Sequence, residues 1–399
     1  MILTLIIFVL ILSFLIIIHE LGHFTAAKKA GLLVHEFGLG LPPKIWGKKY
    51  GETEYTLNAL PIGGFVKIEG EDPSESVTGS KSRNFQFQKP KVKLIILLAG
   101  IIMNFAFAIF LYYTFFIFNN FISNPLVAFT DYNFRGANKL WVTTLISGVS
   151  NKSLEERLRP GDVIFNVEDN TTKSKLNGFD TTVKALSKKD QIKTVTSVTF
   201  DNFENFVNSF TGPATLYLYN IQDGSVRTEV VQVSYSDKLD KNIVGIYLGK
   251  MVYLDYSVTP LTKLFSGFTH SANMIGYSLK SFGALIGLSV KTRDVSVVST
   301  GVSGPVGIYS VIKSVLISNN PQTFWIILDL TALISLSLGF MNLLPIPALD
   351  GGRAVFVLYE WVRGKPVKPS LEANIHKFGM LFLLALLFLI TIKDVVNLF

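Results

Sequence analysis

Four stretches of this chain carry no charged side chain: Met1–Ile18, Leu94–Thr130, Leu330–Leu349 and Phe378–Ile392. Backbone placed in lipid must satisfy its own N–H and C=O groups, so long apolar runs of this kind read as membrane-spanning helices. Composition agrees. Of 399 residues, 49% are hydrophobic and 17% are charged, against about 25% charged in a soluble domain. An ordinary cytosolic enzyme and a disordered regulator are thereby excluded. The chain has no cysteine, which removes disulfides, thiol nucleophiles and Cys-ligated metals.

The first run has no basic leader and no small-residue cleavage site, so it reads as a retained span rather than a signal peptide. The second span is expected near Leu94–Phe118, the third near Phe324–Leu349, and the fourth, short at 15 uncharged residues, at Phe378–Ile392. Between the second and third lies a long polar region, about Asn119–Pro321, rich in Val/Thr/Tyr alternation. Phe24–Lys93 holds eleven Lys/Arg against seven Asp/Glu, and the loop after the third span carries Arg353, Arg363, Lys365, Lys368 and Lys377. Basic loops face the cytoplasm, which places the N-terminus and the polar region outside. The net charge of +8 belongs to those loops. With no basic run interleaved with aromatics, nucleic acid is not expected as a partner. Val295–Ile312 is free of charge but broken by Gly301, Gly304, Pro305 and Gly307, and reads as a surface loop. Leu261–Leu288 reads as a helix lying at the interface.

The first run ends in His19-Glu20-Leu21-Gly22-His23. Histidines at i and i+4 share a helix face and can hold one zinc ion, with Glu20 in reach of a water as general base. Ionisable groups inside an apolar span are expensive unless they are functional. A catalytic zinc needs a third protein ligand, and the candidate is Asp350, which follows the Pro-broken segment Asn342-Leu343-Leu344-Pro345-Ile346-Pro347-Ala348-Leu349 and precedes two glycines. At 1.5 Å per residue, His19 lies about 27 Å along the first span and Asp350 comes to a similar level from the opposite direction. His35, His270 and His376 stand alone and read as surface or packing residues.

These motifs resemble the site-two protease family of intramembrane zinc metalloproteases, in its bacterial regulator-of-sigma-E protease branch. Asn58–Lys67 resembles the branch's membrane re-entrant β-hairpin, Gly100–Asn104 its GxxxN motif, and Ser303–Ile308 the stretch ahead of its third span. Leu158–Ile164 resembles the LxxGDxI turn of a PDZ domain. Two departures stand out: an inserted polar stretch at Asp169–Ser197, and the absence of a clear carboxylate-binding loop near Leu140–Gly148. Peptide binding and a size filter both fit such a domain.

The resemblance implies a polytopic α-helical membrane protein with four transmembrane spans, a re-entrant β-hairpin and one extracytoplasmic PDZ-like α+β domain. Its parts would be 1–118 (first catalytic membrane part), 125–250 (PDZ-like), 251–323 (interfacial connection) and 324–399 (second catalytic membrane part). His19, His23 and Asp350 would ligate Zn2+, and Glu20 would activate water. Asn342, Pro345 and Pro347 would hold substrate, and Gly63, Gly64, Phe65 and Val66 would offer it a strand edge. The implied activity is hydrolysis of peptide bonds within the transmembrane segments of single-pass proteins in the bacterial cell membrane. Anti-sigma factors pre-trimmed by an upstream site-one protease, or remnant signal peptides, would be the substrates. Two rivals remain at this level: a non-catalytic scaffold presenting the PDZ-like domain, and a zinc transporter. A transporter would string ionisable groups along a path, whereas here they converge.

Overall fold

The computed structural model describes residues 2–71, 80–127, 132–149, 154, 157–159, 161–176, 199–220, 225–237, 240–294, 298–299, 301–317 and 322–396. The chain divides into two compact units. The first comprises 1–114, 270–314 and 327–399, the second 115–269 and 315–326.

Among the described residues, four helices are long and apolar enough to cross a membrane: α1 (Ile2–Lys29), α2 (Pro90–Phe118), a third at Thr323–Leu343 and a fourth at Pro369–Val396. Many of their apolar side chains stay bare, Ile2 at 77% and Phe388 at 65% exposure. That surface is stable against lipid and costly against water. Lys28 and Lys29 close α1, where cations favour the carbonyl end of the helix dipole.

Between α1 and α2 the chain forms a hairpin of β1 (Val34–Tyr50) and β2 (Thr53–Ile68). Both strands bend, so β1 residue Phe37 pairs with Tyr55 on one side and with Val66 on the other. The result is four segments in the order 44–50, 53–58, 34–41, 64–68, antiparallel in the two outer pairs and parallel in the middle one, where Glu36–Leu39 runs in step with Glu54–Leu57. Among the described residues, the last segment is therefore an edge. Gly64, Phe65 and Val66 lie in that segment, and Gly63, at φ +92°, leads into it. At the hairpin tip Glu52 pairs with Arg83 and with Lys28, each at 2.6 Å. Those two cations hold its carboxyl down at about 2. A shared core of Ala27, Leu32, Val34, Ile68, Leu97 and Val357 joins α1, the hairpin, α2 and a later helix.

Among the described residues the second unit has seven antiparallel strands: β3 (Leu126–Val127), β4 (Asn138–Val149), β5 (Asp162–Asp169), β6 (Gly212–Asn220), β7 (Val226–Ser236), β8 (Lys241–Ile243) and β9 (Ile246–Asp255). Their order is β3-β9-β4-β5-β6-β7-β8. Helix α3 (Phe200–Asn208) packs Phe203 and Val207, one turn apart, against Leu216, Leu218 and Val231. Its cap is Thr199, whose hydroxyl accepts from the Asn202 N–H. Asp162 is fully buried, paired with Arg227, and accepts from Asn220 Nδ2 and the Arg159 N–H. Deleting one partner of a buried pair strands the other, at a cost of about 3–5 kcal/mol. Residues 177–198, most of the expected insertion, lie outside the described residues. The sheet runs past residue 250, since β9 continues to Asp255.

Helices α4 (Pro260–Leu264) and α5 (Ser266–Thr292) follow, where a helix was expected. The expected loop at 295–312 is different: Pro305–Ile317 forms a helix, α6. Pro305 occupies its first turn, where a missing N–H costs nothing. Asp394 accepts from the Gly304 and Gly307 N–H groups at 2.8 and 2.9 Å. The apparent breakers sit at a helix start whose cap arrives from the far end of the chain. The third apolar helix, α7, is Thr323–Leu343, shorter than the run through Leu349. After the break, α8 (Asp350–Arg363) begins, and α9 (Pro369–Val396) is 28 residues rather than the short span expected.

Candidate metal centre

Helix α1 sets His19 and His23 one turn apart, both buried. Helix α2 approaches closely enough that a β-carbon on Gly100 would overlap both imidazoles. The break after α7 ends at Asp350, the first residue of α8. A carboxylate there faces free backbone amides and the positive end of the helix dipole. A β-carbon on Gly351 or Gly352 would collide with carbonyls of Leu343, Leu344 or Ile346, so the glycines let α8 start tight against the break. Arg353 pins the same turn to Glu71, and Lys93 meets Glu360 at 2.9 Å further along α8.

Asp350 Oδ2 stands 3.0 Å from His19 Nε2 and 3.3 Å from His23 Nε2, and the two nitrogens are 3.1 Å apart. Donors about 2.1 Å from one tetrahedral ion lie about 3.4 Å from one another. The other ring nitrogens are engaged in the way such a site requires. His23 Nδ1–H donates to the Ile96 carbonyl at 2.8 Å, leaving the Nε2 lone pair free. His19 Nδ1 is 3.2 Å from the Asn104 amide, whose Oδ1 is buried without a partner. Turning that amide over lets Oδ1 accept from His19 Nδ1–H and settles both groups. The two histidines and the aspartate thus fit a zinc ion, and among the described residues they are the cluster with ligand atoms this close.

Beside them opens a cavity of about 210 Å³, lined by Ile16, His19, Glu20, Asn104, Leu338, Asn342, Ala348, Leu349 and Asp350. It leaves room for a water and a substrate carbonyl next to the Glu20 carboxylate. Of the hairpin residues singled out in the sequence, Gly64 comes nearest: a β-carbon there would stand 3.6 Å from Glu20 Cγ. The Phe65 ring instead lies over Gly38, Val66 packs on the shared core, and Gly63 sits near Leu41. Asn342 reaches the cavity. Pro345 and Pro347 shape the break without lining it.

Of the isolated histidines, His35 pairs with Glu69 at 2.6 Å and His270 is buried against the Tyr112 ring. Burial pushes the His270 imidazole down to about 3. Neither takes part in the cluster. The sequence singled out Asn104 as the end of the Gly100–Asn104 motif but tied it to no partner, though an amide inside a charge-free run was a signal that something polar faces it.

The family model described as Peptidase family M50 matches residues 7–386. A Fusobacterium nucleatum protein named as a zinc metalloprotease is 29% identical over 400 residues, covering 99% of both chains. The zinc metalloprotease RasP of Shouchella clausii is 27% identical over 449 residues, again 99% of each. A Nostoc protein, also named as a zinc metalloprotease, is 27% identical over 97% of this chain and 94% of its own.

Proposed function

We propose, for a chain that belongs to peptidase family M50 and is accordingly a membrane-associated zinc metalloprotease, that the bond it cuts lies inside the transmembrane segment of a single-pass protein. The observation that carries this reading is the origin of the site. His19, Glu20 and His23 lie on an apolar helix, and Asp350 follows the break after another. A site so built meets substrates that are themselves in the bilayer.

A peptide bond inside a helix is shielded, so the substrate must be held extended. The segment 64–68 offers its outer side to a substrate strand, whose pairing would satisfy the N–H and C=O groups freed by unwinding. Gly64 then brings that strand against Glu20. Asn342 at the cavity wall donates to or accepts from the substrate backbone. Zinc, held by His19, His23 and Asp350, supplies the Lewis acidity that makes water nucleophilic near neutral pH. Glu20 takes the water proton on its carboxylate and returns it to the departing amine. Asn104 and Ile96 fix the tautomers of His19 and His23 throughout.

The role of the edge has a direct check. Gly64→Val puts a branched side chain where a β-carbon is already 3.1 Å from the Gly38 carbonyl. Cleavage efficiency on a model span should fall by about 10-fold or more, through substrate misplacement, with zinc content unchanged. Unaltered cleavage would remove the edge from the account.

The Lys/Arg-rich loops support a topology with the hairpin and the metal centre on the cytoplasmic side and residues 125–250 outside. The second unit carries the LxxGDxI segment and the helix Phe200–Asn208 packed on an antiparallel sheet, which supports a PDZ-like reading. We assign it a filter role that admits substrates already trimmed outside. Anti-sigma factors and remnant signal peptides satisfy that requirement. Quantitative membrane proteomics on cells carrying wild type or Glu20→Gln tests both points. Single-pass proteins with short ectodomains should accumulate in the variant. Accumulation of intact, large ectodomains would refute the filter, and accumulation of no membrane protein would refute the substrate class.

A further inference from the structure

Residues 344–349 join α7 to α8 and deliver Asp350 to the two histidines. Ala348 adopts φ +79°, a left-handed conformation in a residue with a β-carbon. Such backbone persists only where its surroundings impose it. The element that imposes it is α9. Ala348 N–H donates to His376 Nδ1 at 2.9 Å. One turn on, α9 presents Gly379, where a β-carbon would lie 2.6 Å from the Pro347 carbonyl oxygen. His376 and Gly379 together form a seat for the Pro347–Ala348 turn. Because Nδ1 accepts, the ring proton is on Nε2, which is buried and has no hydrogen-bond partner among the described residues. The imidazole makes one polar contact of this kind, and it goes to the strained residue two positions before the aspartate.

We propose that His376 is the positioning residue of the metal-bearing turn: by accepting from Ala348 N–H, it sets where Asp350 stands relative to His19 and His23. The proposal rests on the metalloprotease reading and adds a residue from the fourth apolar helix to it. His376 touches neither metal nor substrate, and it acts through the backbone. Ala348 and Leu349 also line the cavity, so the same hydrogen bond holds one wall of the substrate space.

Packing is the competing role, since the His376 ring centroid lies 5.4 Å from that of Phe356. Two substitutions separate the roles. His376→Phe keeps a ring and loses the acceptor. His376→Asn loses the ring and keeps an acceptor close to the Nδ1 position. Full-length protein in detergent is loaded with zinc, and zinc release to a chromogenic chelator is timed. Unfolding of the metal-free forms is followed in parallel, and cobalt-substituted samples report the ligand field. His376→Phe should release zinc about 10- to 100-fold faster, the range expected when a supporting partner of a ligand is lost. Its cobalt bands should shift, while its metal-free unfolding temperature stays with wild type. His376→Asn should keep the wild-type bands and most of the zinc retention.

The reverse ranking, or two variants that both hold zinc like wild type, overturns the proposal. So does a folded His376→Asn that loses zinc as fast as His376→Phe. If His376→Phe does not fold, the Asn variant decides alone: retention supports the proposal and loss defeats it. Wild type is the control for the underlying reading. If it takes up no zinc, the metal assignment falls and takes this proposal with it. If it does, failure of the variants touches His376 only.

Discussion

Glu20→Gln leaves zinc bound and removes cleavage. The carboxylate lines the cavity beside the metal cluster and is not among the three clustered ligand atoms. An amide of the same shape cannot take a proton from water or pass one to an amine. Proton transfer of this kind is worth about 10²- to 10⁴-fold in rate, and kcat should drop by at least that much. Metal content and cleavage of a model span are measured on one purified sample. Substantial residual cleavage would dismiss Glu20 as the base. Loss of zinc together with cleavage would make Glu20 part of the metal shell.

Asp350→Ala is the second large effect, and it runs through the metal. The substitution deletes one of three protein donors and the anionic charge at the start of α8. Loss of a supporting partner alone costs about 10- to 100-fold in metal affinity, so loss of a ligand should exceed that. Zinc occupancy after dialysis against a weak chelator should fall to near background, and cleavage with it. A variant that keeps both would show that the third donor is another group and that Asp350 is only a helix-start residue.

The parts of this site that were legible in the sequence are those written in local periodicity. His19 and His23 at i and i+4, with Glu20 between them, declare a helix face without tertiary help. Asp350 was legible because prolines inside an apolar run needed a reason. What stayed hidden depends on contacts across long separations. Helix α6 looked like a loop because its cap, Asp394, lies 87 to 90 residues further on. The hairpin was visible as a segment, but its fold into four strand segments depends on bends in both strands. That fold decides which residues form an edge, and it singles out Gly64. Asn104 and His376 are single polar residues in apolar helices. No spacing rule connects Asn104 to His19 or His376 to Ala348, because each pair is joined by packing between elements remote in the chain.

The central claim is that zinc-dependent hydrolysis occurs within a membrane-spanning segment. Its most direct test is to incubate purified protein with a purified single-pass substrate in detergent or lipid. The new termini are then mapped by mass spectrometry, with and without a zinc chelator. The account predicts termini inside the apolar segment, formed with incorporation of one oxygen from labelled water, lost with chelator and restored by added zinc. Termini confined to the polar flanks, or cleavage that persists after zinc is removed, would contradict it.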